Sequence, residues 1–156
     1  MKFLILLLLL ISLPAAKSFS FSRPDIDTVS ILGLAPGLDG KSVSSHIPGK
    51  LDTLMWSNGI GILKFSGSYL NTKGEFRLAY DKGFVSQVSF VAPTRSDEEA
   101  KKIYTQLSGD LSNEYGPPDV QTTNSIHEMR WEGIKQSISV KAIDETPYVT
   151  IALSKF

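Results

Sequence analysis

The chain has 156 residues, 42% of them hydrophobic, and its 16 basic side chains balance its 16 acidic ones. The absence of cysteine excludes disulfides, thiol catalysis, thiolate metal sites and redox switching. The overall charge balance gives no electrostatic reason to expect a nucleic-acid partner.

Met1 to Ser18 reads as a secretory signal: Lys2 supplies a positive start, Phe3 to Leu13 an apolar run, and Ala16-Lys17-Ser18 a small-x-small cleavage site. That run, at ~1.5 Å per residue, spans only about half of a ~30 Å hydrocarbon core, so a cleaved signal is expected rather than an anchor. With no cysteine at the cleavage site, the bacterial lipoprotein route is closed. The expected mature chain, residues 19–156, is the size of one domain. Without Lys2 and Lys17 it keeps 14 basic residues against 16 acidic ones, a net charge of −2. An exported protein without cysteines or an N-x-[ST] sequon suggests a periplasm, or secretion from a bacterium.

Phe19 to Asp27, polar and proline-containing, is expected to be a flexible lead-in to a single domain over 28–156. Thr28 to Leu34 reads as a short strand or a segment tucked beneath the fold, and Leu38 to Ile47 as a short helix ended by Pro48-Gly49. Three strand-like runs follow: Gly59 to Ser66, Glu75 to Tyr80 and Phe84 to Ala92. Asn71 to Gly74 and Asp81 to Gly83 have hairpin-turn composition, so these runs form an antiparallel meander, with Ser66 to Asn71 as a linker.

Ser96 to Tyr115 carries the strongest helical period, with Ala100, Ile103, Tyr104, Leu107, Leu111 and Tyr115 on one stripe. Ser96 and Glu99 fit a capping box, Gly116-Pro117-Pro118 ends the helix, and Gly109 is a weak point where a bend is expected. Ser125 to Trp131, Gln136 to Ile143 and Tyr148 to Ser154 then alternate as three more strands, with Asp144 to Pro147 as a turn. The expected fold is therefore α+β: an antiparallel sheet from two helix-plus-three-strand halves (28–92 and 93–156), with the central amphipathic helix packed on one face.

A helix, a YGPPD-type stop and a tryptophan-bearing strand over Ala100 to Asp119 and Trp131 resemble small bacterial exported α/β modules. They are of the β-lactamase inhibitory protein type and the small outer-membrane-assembly lipoprotein type. Leu38 to Ala92 resembles the same plan more loosely. The lipid-anchoring cysteine of the one and the usual cysteines of the other are absent here. The resemblance implies a protein-binding module and names no partner.

Residues that carry chemistry are sparse. Ala35 to Ser42 (APGLDGKS) satisfies a relaxed phosphate-loop pattern, but Pro36 removes an amide and no parallel βαβ unit follows, which favours a plain turn. His46 and His127 have no partners at metal-ligand spacing. The pairs Asp25/Asp27, Glu98/Glu99 and Asp144/Glu145 fall in a tail, a helix start and a turn, where acidic residues have local uses. No catalytic residue, metal ligand or cofactor is assigned. The candidate partner-binding residues are the aromatics Trp56, Tyr69 and Trp131, with Tyr80 a fourth of interest; core packing is the competing job for each. The expected function is a non-catalytic, exported module that binds an envelope or secreted protein, with no nucleic acid and no membrane span after cleavage. The alternatives are a small-ligand carrier with a pocket between helix and sheet, or a hydrolase with an unrecognised site.

Overall fold

Strand-forming sequence on both sides of one long helix is joined into a single sheet in the computed structural model. It describes residues 25–43, 45–47, 52–57 and 60–156, with 52–57 and 60 as backbone only. The expected signal peptide, the lead-in as far as Pro24 and the Pro48-Gly49 stop lie outside the described residues. Eight strands run in the order β1-β2-β3-β4-β8-β7-β6-β5, every neighbouring pair antiparallel. They are β1 (Asp52–Ser57), β2 (Ile60–Tyr69), β3 (Thr72–Asp81), β4 (Phe84–Pro93), β5 (Asp119–Thr122), β6 (Ile126–Glu132), β7 (Gln136–Ile143) and β8 (Tyr148–Lys155). Helix α1 (Gly40–Val43) precedes the first four, and α2 (Asp97–Tyr115) separates them from the last four.

Each set thus has four strands, not three. The additional strands are the two sheet edges. β1 (DTLMWS) lacks polar–apolar alternation, and β5 (DVQT) is short, polar and exposed throughout, so neither carries the period that marks a half-buried strand. The two meanders meet at the sheet centre, where β4 pairs with β8 from Gln87–Ser154 to Pro93–Tyr148.

Alternation sorts the sheet into two faces. One holds Phe65, Phe76, Leu78, Tyr80, Val88, Phe90, Trp131, Ile138, Val140, Val149, Ile151 and Leu153, all buried in one hydrophobic cluster. Phe65 stacks on Phe76 with ring centres 4.8 Å apart, Phe76 tilts against Phe90 at 4.9 Å, and Tyr69 closes the group at 5.9 Å from Phe90. The rings need floor space, and the cross-strand pair Gly67–Gly74 provides it. A Cβ on Gly67 would lie 2.7 Å from Phe76, and one on Gly74 2.4 Å from the Val91 carbonyl oxygen. The residues expected to form a linker, Ser66 to Tyr69, are therefore strand. The turn shrinks to Leu70-Asn71, both left-handed (φ 47° and 61°).

Helix α2 covers this face by packing against β7 and β8. Its C-terminal half is deepest, with Leu107, Ser108, Leu111 and Tyr115 buried. Ser96 Oγ accepts the Glu99 amide proton, as a capping box requires, but the Glu99 carboxylate accepts from the Arg95 amide, one residue before the cap. The helix continues through Gly109 to Gly116, whose φ of 88° turns the chain out. Trp131 then fastens that stop: its indole Nε1–H donates to the Gly116 carbonyl at 2.7 Å.

The N-terminal segment covers the rest of the same face. Ile31, Leu34, Val43 and Ile47 join the core, and Thr28 to Leu34 is the tucked segment, closed by one Ile31–Leu34 bridge. Its anchor is Asp27, whose carboxylate accepts backbone N–H groups from Ile134, Lys135 and Gln136 at 3.0, 2.7 and 3.2 Å. Gln136 returns its side-chain N–H to the carbonyls of Ile26 and Val29. Asp27, expected to be the last residue of a flexible lead-in, is instead tied to the β6–β7 turn.

Candidate functional site

With α2 and the N-terminal segment on one face, the other face of the sheet is bare among the described residues. Register carries a continuous row of side chains across it: Lys64, Arg77, Ser89, Ala152, Ser139, Arg130 and Asp119. A second row runs Ser66, Glu75, Val91, Thr150, Lys141, Glu128 and Gln121. The centre, over β4, β8 and β7, is therefore floored by small side chains. Charges stand on both flanks.

Those charges are held in place. Glu75 bridges Arg77 Nε at 2.8 Å and Lys64 Nζ at 3.5 Å, and the Arg77 hydrogen bond, ahead of the other contacts, keeps its carboxyl below the usual range. On the other flank Lys141 pairs with Glu128 at 3.1 Å. Arg130 pairs with Glu132 at 3.0 Å, donates to Ser137 Oγ at 3.1 Å and lies 5.6 Å from the centre of the exposed Phe156 ring. Beside the second flank, over β6, β7 and β8, is a shallow trough of about 370 Å³, walled by Gln87, Glu128, Arg130 and Lys141, with partly exposed Tyr148 at its end. Its floor is Ser139, Thr150, Ala152 and Ser154. Paired charges of both signs beside a small-residue floor suit a complementary polar protuberance.

A second concavity lies on the covered face. Because α2 packs over β7 and β8, a groove of about 360 Å³ opens between its first half and the β6–β7 side of the sheet. Ala100, Tyr104, Ala142 and Ile143 give it apolar walls, and Asp97, Lys101, His127 and Asp144 a polar rim. His127 Nε2 lies 3.3 Å from Asp144 Oδ1, both side chains about half exposed. Burial raises the Tyr104 hydroxyl above its ordinary value.

The aromatics singled out in the sequence are not brought together. Trp131 is 4% exposed and serves the α2 stop. Tyr69 lies on the covered face against Phe90, and burial pushes its hydroxyl up to about 12. It lies in β2 rather than in the expected linker. Tyr80 is buried as well. Trp56 belongs to β1, among the residues described by backbone only. The phosphate-loop pattern is a turn whose amides are engaged inside the fold: Gly37 N–H donates to Val85, Gly40 N–H to Gly83, Lys41 N–H to the Asp39 side chain and Ser42 N–H to the Asp39 carbonyl. A Cβ at Gly40 would meet the Gly83 carbonyl and the Tyr80 ring at 3.0 Å, so close packing explains this glycine.

His46 is engaged locally, its Nδ1–H donating to the Ser42 carbonyl at 2.9 Å. Among the described residues no three His, Asp or Glu side chains gather as a metal site, and no helix is long and apolar enough to cross a membrane. Comparison with protein-family models, curated proteins and solved structures returns no match.

Proposed function

We propose that this is a non-catalytic, exported binding module whose bare sheet face receives a protein of the cell envelope or its surroundings. The observation that carries this reading is the trough over β6, β7 and β8: a floor of small side chains edged by the paired charges of Glu128–Lys141 and Arg130–Glu132, with the Lys64–Glu75–Arg77 cluster farther along the same face. Flank charges held by neighbours reach the complex with little ordering cost, and charges of both signs select a partner by complementarity rather than by net attraction. The export signal read in Met1 to Ser18 supports a place outside the cytoplasm. We further propose that 28–92 and 93–156 are copies of one helix-plus-meander unit, which would make the antiparallel β4–β8 junction a local two-fold axis, with the trough to one side of it. This plan is the one implied by the resemblance to small exported binding modules.

The test is photo-crosslinking in the native host from probes placed at Ser139 and at Asp110, which is exposed on α2. The expected result is one recurrent adduct from Ser139 that is absent from Asp110 and lost when Ala152→Trp fills the floor, with the circular dichroism spectrum unchanged. Adducts of equal yield from both probes, or none from Ser139, would overturn the assignment. The helix–sheet groove favours a second reading, a small-ligand carrier, because it combines apolar walls with His127, Asp144 and Tyr104. A carrier would release a bound molecule on denaturation, detectable by mass spectrometry of the purified protein.

A further inference from the structure

We propose that a separate cleft, between the β2–β3 turn and the first half of α2, binds a small polyanion through Lys73, Arg95 and Lys102. The cleft encloses about 450 Å³ and is also lined by Asn71, Thr72, Thr94 and Gln106. Its cations outnumber its acids by three to one, the acid being Glu99, although residues 19–156 together carry net negative charge. Glu99 already accepts the Arg95 amide proton at 2.6 Å.

The pairing pattern sets these cations apart. On the bare sheet face Lys64, Arg77, Arg130 and Lys141 each have a carboxylate within ion-pair distance. Among the described residues none of Lys73, Arg95 and Lys102 has one. Three positive charges against one carboxylate in a single concavity raise the local potential and concentrate multivalent anions there.

The walls of the cleft are fixed to each other. Leu70 and Asn71 both hold positive φ without being glycine, a conformation that costs free energy and persists only where surroundings enforce it. Here Leu70 packs against the core and its carbonyl accepts the Gln106 side-chain N–H at 3.1 Å. That bond ties the turn carrying Asn71, Thr72 and Lys73 to the helix carrying Lys102. The cations therefore meet an anion from a preformed frame, which lowers the ordering cost of binding. The ligand class follows from charge and size: a phosphorylated or multiply carboxylated group, free in solution or carried as a lipid headgroup.

Amide-resolved NMR titration of the purified protein with inorganic pyrophosphate and with citrate tests this at low ionic strength. Saturable shifts are expected at Asn71 to Gly74 and Thr94 to Gln106, weakening about tenfold or more in the Lys73→Gln/Lys102→Gln double variant and on adding salt. Lys135→Gln, at the β6–β7 turn, should leave them unchanged. Co-sedimentation with anionic-phospholipid vesicles but not with phosphatidylcholine, lost in the double variant, would place the anion on a lipid. Pyrophosphate binding without co-sedimentation would place it in solution. Shifts that stay linear to about 10 mM pyrophosphate, or that the double variant leaves intact, would overturn the proposal; neither result bears on the bare sheet face.

Discussion

Replacing Trp131 with Phe tests whether the α2 stop and β6 are one structural unit. The substitution keeps an aromatic ring on the covered face but removes the indole N–H that donates to the Gly116 carbonyl at 2.7 Å. Losing that bond should cost about 1 kcal/mol net, since the partly accessible carbonyl can recover some hydration. The smaller ring, at a site only 4% exposed, adds about 1 kcal/mol from lost contacts and an unfilled gap. Together, about 2 kcal/mol should appear as a lower urea midpoint at unchanged slope, and as a fall in Tm of roughly 5–8 °C. Trp131→Ala should cost about 3–5 kcal/mol. Both are read by far-UV circular dichroism. If Trp131→Phe costs under about 0.5 kcal/mol, the indole N–H is not what holds the helix stop.

Three further substitutions probe the reasoning elsewhere. Gly109→Ala should raise stability by about 0.5–1 kcal/mol in urea unfolding, because a Cβ there meets nothing within 4 Å and alanine favours the helix. Gly74→Ala should lower it by about 2–3 kcal/mol, since the new Cβ would press on the Val91 carbonyl, which β4–β8 pairing holds in place. Asp27→Asn should lower the Tm at neutral pH. The Lys135 amide, first among its contacts, holds the Asp27 carboxyl below its ordinary 3.8. A depressed folded-state pKa stabilises above that value and is lost as pH falls through the lower one, so the gap between the two proteins should close below pH 3.8. A gap that persists or widens in acid would remove the carboxylate from the account.

The sequence was legible wherever one period dominated. Phe84 to Ala92, Gln136 to Ile143 and Tyr148 to Ser154 alternate because one face of each strand is buried, and the structure returns them as β4, β7 and β8 within a residue or two. Helix α2 was legible from its stripe and its serine cap. The edges were not: β5 has a neighbour on one side only and four exposed residues, so nothing constrained its sequence to alternate. Ser66 to Tyr69 misled for the opposite reason. Its glycine signals a loop by composition, yet it is there so that aromatic rings can lie flat on the strands. Asp27 could not be assigned either, because its partners lie more than a hundred residues away. The bare face stayed hidden because Ser139, Thr150 and Ser154 are the residues any solvated strand carries. Only the register shows that they form one floor.

That register is the reason the proposed binding is placed on the bare face and not on the aromatics. An aromatic residue contributes to a partner surface only if the fold leaves it uncovered, and here the helix needs the rings. Phe65, Tyr69, Phe76, Phe90 and Trp131 all lie on the face that α2 and the N-terminal segment must cover. With no disulfide to assist it, the core depends on that coverage. The opposite face has no such duty, and its side chains are free to be chosen for another molecule. Charges kept there only for solubility could remain mobile and unpaired. Instead Glu75 links Lys64 to Arg77, and Arg130 is fixed by Glu132, Ser137 and Phe156 at once. Ordering long side chains around an empty floor brings little stability on an exposed surface. It brings specificity when a partner occupies that floor.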